Sequence, residues 1–448
     1  MNNDMMQPRM LWFLLPFLFL LPACVPVSQQ YPSGGEGLPA GQNANMPLQY
    51  ADAVYDPNTK SVQCYVQSGH PEEVIQPPVV PLSQEQPIVL EFDQLQTPQQ
   101  RLVARLIYCN ADWTEARITQ MEYLQDFNEF YLTDVTPSSN TKVPYFHYRF
   151  QVPRVKLSGN YLLVIADQNG RNVLSRRLVV YEQAVTVTAR PVLTSGGSAQ
   201  FTNQQVDFII SYHQYPLVNP VQELKVVMRQ NYRWDNAKAH LRPQSVREAE
   251  KRLEYTFFEL PHTFPGLNEF RFFDNRSRRF LGANVGGANR EVVPEEILLV
   301  GDQNRSREAF SQQIDINGQY ITGNRDFPDA SLSADYNWVT FQLRAEKAAP
   351  GEVYVFGALS DWQLQPGFKM AYDPAAQVYA GKALLKQGYY NYYYTVLLPS
   401  ARGQDDAYFE GSFQQTENVY DILVYYRPPG SRADQLIGYT KVNYNGRR

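Results

Sequence analysis

Residues that carry metal or nucleophile chemistry are scarce in this chain. Three Cys and five His occur among 448 residues, and the sequence has no His-Glu-x-x-His, Cys-x-x-Cys or Gly-x-Ser-x-Gly motif. The glycine-rich segment 282–287 lacks the Lys-Ser or Lys-Thr of a phosphate-binding loop, so we expect a turn there. Paired glycosidase carboxylates would escape this search, because their separation in space is not readable from sequence. We expect a non-enzymatic protein without a cofactor, a metal site or a small-molecule substrate.

A basic surface of the kind that neutralises phosphates is also missing from the sequence. Lys and Arg number 40 against 45 Asp and Glu, and they are scattered along the chain. The formal net charge is −5 and the pI is about 5.7. Nucleic acid is therefore not an expected partner.

Aromatic residues, glycine and proline are abundant, whereas long stretches with helical periodicity are scarce. Aromatics make up 13% of the chain, with 31 Tyr, and there are 26 Gly and 31 Pro. Short apolar strands bounded by Pro, Gly, Asn or Asp turns are typical of β-sandwiches. The sequence therefore predicts an all-β fold of tandem β-sandwich or immunoglobulin-like domains. Its length fits about two to four of them.

The N-terminus predicts export and lipidation. Arg9 precedes the apolar run Met10–Leu21, which is too short to span a bilayer comfortably. Leu21-Pro22-Ala23-Cys24 resembles a lipobox, and the alternative is an ordinary secretory signal with an incidental cysteine. We expect a signal peptide at 1–23, acylation of Cys24, and a flexible tether at 24–49 that is rich in Gly, Pro, Ser, Gln and Asn.

The residues after Cys24 indicate which membrane holds the anchor. Val25 is not the Asp that resembles an inner-membrane retention signal, and Val25–Gln30 has no acidic cluster resembling a surface-export signal. We expect the lipid anchor in the outer membrane, on its periplasmic face.

Turn-rich segments suggest where the folded domains divide. We predict a first domain at 50–185, a second at 186–330, a third at 331–430 and a C-terminal tail at 431–448. The segment Ser245–Leu253 is the one stretch with convincing helical composition, because Glu248 and Arg252 have the favourable i,i+4 order.

The chain is organised around a strand and turn at 102–113. Leu102, Leu106 and Tyr108 alternate with Arg105 and Ile107 as in a β-strand, and the following Asn and Asp favour a turn. Cys-Asn-Ala-Asp-Trp followed by Glu-Tyr-Leu resembles the signature of the plug protein family of the type IX secretion system. Further matching segments follow the family order, among them Gln230–Asn236, Asn268–Arg271 and Leu385–Tyr392. The motif residues, expected to be structural, are Cys109, Asn110, Asp112, Trp113, Asn231, Trp234, Asn268 and Glu269.

This resemblance implies a function. The family closes the periplasmic end of the large outer-membrane translocon barrel through which the type IX system exports folded proteins. A pore of that width leaks when idle, so it needs a lid that binds reversibly. The expected partners are thus this barrel and, through the lipid anchor, the outer membrane.

An alternative function comes from the third domain. Its short strands, with Ser360-Asp361-Trp362, resemble the immunoglobulin-like early-set domain that also occurs as a glycogen-binding module. Trp362, Tyr390 and Tyr392 could contact a glycan or a partner protein, although such tyrosine stripes are more often core. The alternative is a glycan-binding outer-membrane lipoprotein of a polysaccharide-uptake system.

The two cysteines outside the signal region leave a second question open. An oxidising periplasm would allow Cys64 and Cys109 to pair, whereas free buried thiols are the simpler expectation.

Overall fold

The computed structural model describes residues 46–399 and 403–446, which belong to one compact unit. The predicted signal peptide, Cys24 and nearly all of the predicted tether lie outside the described residues. Strands dominate the described chain, which confirms the all-β prediction. None of the helices in these residues is long and apolar enough to cross a membrane.

The first part of the chain forms two facing sheets. Its strands are β1 Ala53–Val54, β2 Thr59–Val66, β3 Val79–Pro81, β4 Ile88–Gln94, β5 Leu102–Cys109, β6 Phe130–Tyr131, β7 Asp134–Pro137, β8 Phe146–Gln151, β9 Gly159–Asp167 and β10 Asn172–Tyr181. One sheet has the order β1-β10-β9-β5-β6, with β3 parallel to β10, and the other has the order β2-β4-β8-β7. Apolar side chains from both sheets form one core. The segment Asp167–Gly170, whose Asn-Gly dipeptide favours a hairpin turn, joins β9 and β10, and the two strands pair antiparallel.

Strand β9 is buried on both faces, which explains its nearly continuous apolar sequence. Tyr161, Leu163 and Ile165 face the core of the first two sheets. Leu162 and Val164 face the opposite way, into a second cluster shared with other parts of the chain. This outer face joins the first two sheets to the rest of the molecule.

A second group of strands follows: β11 Thr186–Val192, β12 Asn203–Ser211, β13 Leu224–Gln230, β14 Ser245–Arg247, β15 Arg252–Tyr255 and β16 Phe264–Pro265. All but β13 form a five-stranded sheet with the path β11-β12-β15-β14 and with β16 beside β12. The predicted helix at Ser245–Leu253 is wrong, since these residues form β14, a 3₁₀ turn and the start of β15. Arg247 pairs across the strands with Glu254 at 2.6 Å, and Arg252 pairs with Glu250 at 2.9 Å instead of Glu248.

The next strands build a ten-stranded sheet. They are β17 Arg271–Asp274, β18 Val285–Asn289, β19 Glu295–Leu299, β20 Tyr320–Thr322, β21 Tyr336–Arg344, β22 Glu352–Phe356, β23 Lys369–Asp373, β24 Val378–Lys386, β25 Gly388–Leu397 and β26 Gln404–Asp405. Val339, Val355 and Tyr394 belong to its core. Strand β25 is central, because it pairs with β17, β20, β22 and β26.

The last two strands, β27 Asn418–Tyr426 and β28 Gln435–Tyr444, return to the second group. β13 pairs with β27, and β27 pairs with β28, so a three-stranded sheet faces the five-stranded one across a shared core. The ten-stranded sheet is thus inserted between β16 and β27. The predicted domain limits at 330 and 431 do not follow these sheets. The ten-stranded sheet already begins with β17, before residue 330, and β28 lies in the predicted C-terminal tail.

The described helices are short. They are α1 Gln120–Tyr123, α2 Ala199–Thr202, α3 Pro220–Glu223 and α4 Ala330–Ser333, with 3₁₀ turns at Glu73–Ile75, Glu248–Glu250, Leu260–His262, Ala358–Ser360 and Pro366–Phe368.

Candidate functional site

The family-like motif begins where β5 ends. Cys109 is fully buried, and the chain then turns, with the Trp113 amide donating to the Asn110 carbonyl at 2.9 Å. The Asp112 carboxylate accepts hydrogen bonds from the Thr114 amide at 3.1 Å and from its hydroxyl at 2.6 Å. The sequence prediction of a strand followed by an Asx-type turn is confirmed.

This turn docks on the segment between β27 and β28. The Asn110 side-chain oxygen accepts from Arg427 at 3.0 Å and from the Asp434 amide at 3.3 Å. The Asp434 carboxylate accepts from the Ala111 amide at 3.1 Å and from Lys225 at 2.8 Å. Burial opposes the charge of Asp434, but hydrogen bonds from Lys225 and Arg427 outweigh it and lower its pKa. The motif therefore acts as a clasp between the first sheet and the C-terminal strands.

Beside the clasp, two arginine and two tryptophan side chains pack together in one Arg–Trp cluster, which consists of Arg177, Arg229, Trp113 and Trp234. The Trp113 and Trp234 rings meet edge to face, with centroids 4.9 Å apart. The Arg177 guanidinium lies 4.8 Å from the Trp113 ring centre, and that of Arg229 lies 4.1 Å from Trp234. Arg229 is buried and donates from Nε to Asp421 at 3.0 Å. Buried cation–π contacts of this kind hold the first sheet against β13 and β27.

Arg233, which belongs to the motif segment Gln230–Asn236, reaches the inserted sheet. The Arg233 guanidinium lies 4.3 Å from the centre of the Trp362 ring. Its Nε donates to Asp235 at 3.1 Å, and a terminal nitrogen lies 3.4 Å from Asp406. Trp362 also meets Phe270 edge to face at 6.1 Å. Trp362 is therefore half-buried inside the molecule, where its ring packs against its own chain.

The remaining motif residues fix loop backbones. Asn231, at φ 53°, donates to Asn418 at 2.7 Å and accepts from the Val419 amide at 2.9 Å. Asn268 donates to the Glu410 carbonyl at 2.9 Å. The expectation of a structural role agrees with these contacts.

Glu269 has an unusual environment, because it is buried beside a second carboxyl group. Burial first, and then the charge of Asp315, raise the pKa of Glu269 to about 8. Burial also raises the pKa of Asp315. The two side chains hydrogen-bond each other, and the Glu417 amide lies 3.5 Å from Glu269 Oε1. Two buried carboxyl groups in contact avoid a double negative charge by sharing a proton.

The predicted contact role of Tyr390 and Tyr392 is wrong. Both side chains are buried in the core of the ten-stranded sheet. Tyr390 stacks on Phe273 at 5.0 Å and donates to the Lys386 carbonyl, while Tyr392 donates to Asp302 at 2.8 Å. Because every second residue of a strand can face the interior, a tyrosine stripe does not distinguish a core from a platform. Tyr390 and Tyr392 are therefore not accessible to a glycan, and the glycan-binding hypothesis loses the support of both residues.

Cys64 and Cys109 are free thiols that pack in different clusters, so the alternative of a disulfide is wrong. Burial is the main cause that raises the pKa of each thiol to about 12. Such thiols are poor nucleophiles.

A small cavity lies beside Trp234 and Trp362. Its volume is about 150 Å³, and Arg176, Arg229, Trp234, Asp361 and Trp362 help to line it. Within residues 46–399 and 403–446, no group of three His, Cys, Asp or Glu side chains is arranged to hold a metal.

The sequence analysis does not identify several residues that pack around Trp113, Trp234 and Trp362. Arg177 and Asp421 carry no local signal, since their partners come from distant strands. Arg233 stands inside a quoted motif and could have been chosen for the Trp and Asp beside it. The local concentration of arginines at 276–279 was also missed, because the charge was judged over the whole chain.

The fold and the site together define a multi-sheet, all-β protein whose motif residues hold its own parts together. Residues 59–182 match the type 9 secretion system plug protein 1st domain. A hypothetical protein from Parabacteroides merdae ATCC 43184, solved as a crystal structure, is 30% identical with a TM-score of 0.83, over 89% of this chain and 100% of that one. The chain belongs to the type IX secretion system plug family.

Two other comparisons add nothing to the argument. SGBP-B of the Bacteroides ovatus mixed-linkage glucan utilization locus, solved in complex with a mixed-linkage heptasaccharide, is 13% identical over 77% of this chain and 92% of that one, with a TM-score of 0.09. No curated protein matches the chain.

Proposed function

We propose that this protein closes the periplasmic end of the outer-membrane translocon barrel of the type IX secretion system when the pore is idle. The observation that carries the proposal is the match of residues 59–182 to the first domain of plug proteins. The plug family is not an enzymatic family, and the protein acts by binding.

The packing between sheets supports a lid that keeps its shape. Lys386 of β24 and Asp93 of β4 pair at 2.6 Å, and both side chains are buried. Arg176 of β10 pairs with Asp361 at 2.8 Å. A lid built from loosely linked domains would deform under cargo, whereas these contacts make the described chain one body.

The tether predicted at 24–49 supplies the second requirement. A lid that leaves the pore during export must return quickly. A lipid on Cys24 would hold the displaced protein near the barrel at high effective concentration. In this proposal the protein lies on the periplasmic face of the outer membrane.

Affinity purification of the tagged protein from detergent-solubilised outer membrane tests the partner. We expect a very large β-barrel protein to co-purify with the wild type. Cys24→Ser serves as the control for the anchor: it should lose fatty-acid labelling yet bind the purified barrel, because the folded residues are unchanged. Recovery of the wild type as a free monomer would contradict the proposal.

Protease treatment of intact cells tests the location. A periplasmic lid is protected, and a surface-exposed protein is cleaved. Cleavage of the lipid-labelled wild type in intact cells would overturn the proposed face of the membrane.

A further inference from the structure

Three loops at one end of the ten-stranded sheet carry exposed apolar side chains. The loops are 275–284, 290–294 and 323–329, and all three leave strands at the end of the sheet where β25 begins. Phe280 is 72% exposed, and Val293 is 62% exposed. We name this feature the Phe280 surface, which consists of Phe280, Leu281, Val292, Val293 and Phe327.

Hydrogen bonds fix the three loops relative to one another. Asp326 accepts from the Arg278 amide at 2.6 Å and from the Ser277 hydroxyl at 3.1 Å. Lys142 donates to the Arg290 carbonyl at 2.6 Å and pairs with Glu295 at 2.9 Å. Arg278 also donates to Glu295. The apolar side chains are therefore presented together.

The charges around this surface are arranged in layers. The side chains of Arg279 and Arg325 are 71% and 59% exposed. Their carboxylate partners, Asp326 and Asp274, are only 7% and 9% exposed. Two exposed carboxylates, Glu291 and Asp329, also lie in these loops. In these two ion pairs the guanidinium groups are therefore exposed beside the apolar side chains of the Phe280 surface, and their carboxylate partners are buried beneath them.

The exposed guanidinium groups are the ones that a ligand outside the protein can reach. A guanidinium fork matches the oxygens of a phosphate group. Arg279 and Arg325 therefore offer donors to an anionic ligand that carries phosphate.

We propose that the Phe280 surface docks on a phospholipid membrane with anionic head groups, where Phe280 and Leu281 enter the interface and the arginines bind lipid phosphates. Apolar side chains next to cations are the composition of interfacial membrane-binding segments. The inference rests on the proposed location at the outer membrane and is independent of pore closure.

Vesicle flotation tests the proposal, with the mature chain carrying Cys24→Ser so that no lipid anchor contributes. Vesicles of phosphatidylethanolamine and phosphatidylglycerol should carry the protein upward, and vesicles of phosphatidylcholine alone should carry much less. Raising the salt from about 0.1 M to about 1 M shortens the Debye length from about 10 Å to about 3 Å and should weaken binding. Phe280→Ser with Leu281→Ser should reduce binding about tenfold or more.

The matched control is Leu193→Ser with Phe201→Ser, which removes two exposed apolar side chains elsewhere. This control should bind like the unsubstituted chain. A Phe280→Trp variant should also show a blue shift of its emission when anionic vesicles are added, which reports insertion without relying on the loss of binding.

Three results would overturn the proposal: no flotation with anionic vesicles, equal loss in the loop and control variants, or flotation only with vesicles that contain the translocon barrel. The last result would assign the Phe280 surface to a protein contact. Co-purification of the barrel with the loop variant separates this outcome from a failure of the proposed function.

Discussion

Lys386 Nζ lies 2.6 Å from Asp93 Oδ2, and the two side chains, from β24 and β4, are 2% and 1% exposed. The same carboxylate accepts from the Tyr336 hydroxyl at 2.7 Å and lies 2.7 Å from His147 Nδ1. Burying a lone charge is costly, whereas this carboxylate has several partners. The pair thereby sets the register between the first sandwich and the inserted sheet.

Lys386→Met should destabilise the protein by about 3 kcal/mol, because it leaves the Asp93 charge buried without its cation. Lys382→Met, four residues earlier on β24, removes an exposed partner of Glu296 and should cost less than about 1 kcal/mol. Denaturant unfolding measures both. Adding Asp93→Asn to Lys386→Met should recover part of the loss, and equal destabilisation by the two lysine variants would contradict the assigned role.

Trp113→Ala should destabilise the protein by about 3 kcal/mol or more, since the buried indole packs against Trp234 and Arg177. Phe127→Ala, at a 76% exposed site, should change stability by less than about 0.5 kcal/mol. A double-mutant cycle with Trp234→Ala should give a coupling energy of about 0.5–1.5 kcal/mol. Strict additivity of the two tryptophan variants would show that the edge-to-face contact contributes no stability of its own.

Glu269 should make stability fall as pH rises. Its folded-state pKa, about 8, lies above the ordinary 4.5, so the folded protein holds this proton more tightly than the unfolded chain. The stabilisation is complete below pH 4.5 and is lost as pH rises through 8. The slope contributed by this group is at most about 1.4 kcal/mol per pH unit.

Glu269→Gln should flatten this dependence, because the amide cannot ionise. The comparison variant, Glu308→Gln, changes an exposed carboxylate and should leave the pH profile as it is. Chemical unfolding at several pH values between 4.5 and 8 makes the measurement. If the free energy of unfolding depended on pH in the same way in the wild type, Glu269→Gln and Glu308→Gln, the shared proton would be ruled out.

Local features of the fold could be predicted from the sequence, and pairings between distant segments could not. The alternation predicted for β5 depends on neighbouring residues and is confirmed, and the Asn-Gly turn between β9 and β10 is likewise a local feature. The pairing of β13 with β27 depends on residues nearly two hundred positions apart, such as Arg229 and Asp421. The hairpin at 245–255 shows that tertiary contacts can override helical composition.

The candidate site divides in the same way. The motif residues follow from the resemblance, whereas distant partners such as Asp434 for Asn110 and Asn418 for Asn231 have no sequence signal. For Tyr390 and Tyr392 the sequence leaves a contact surface and a core both open, because alternation alone does not say which face is covered, and the structure places them in the core. The Phe280 surface combines loops separated by about fifty residues, and only their hydrogen bonds bring its parts together.

The permeability of the outer membrane tests the central claim most directly. Cells that lack this protein but keep the translocon barrel should admit a large hydrophilic dye or antibiotic that wild-type cells exclude. Re-expression of the wild type should restore exclusion, and Cys24→Ser should restore it only at high expression, where it no longer needs the tether. An intact permeability barrier in the deletion strain, with the barrel present in normal amount, would contradict the account.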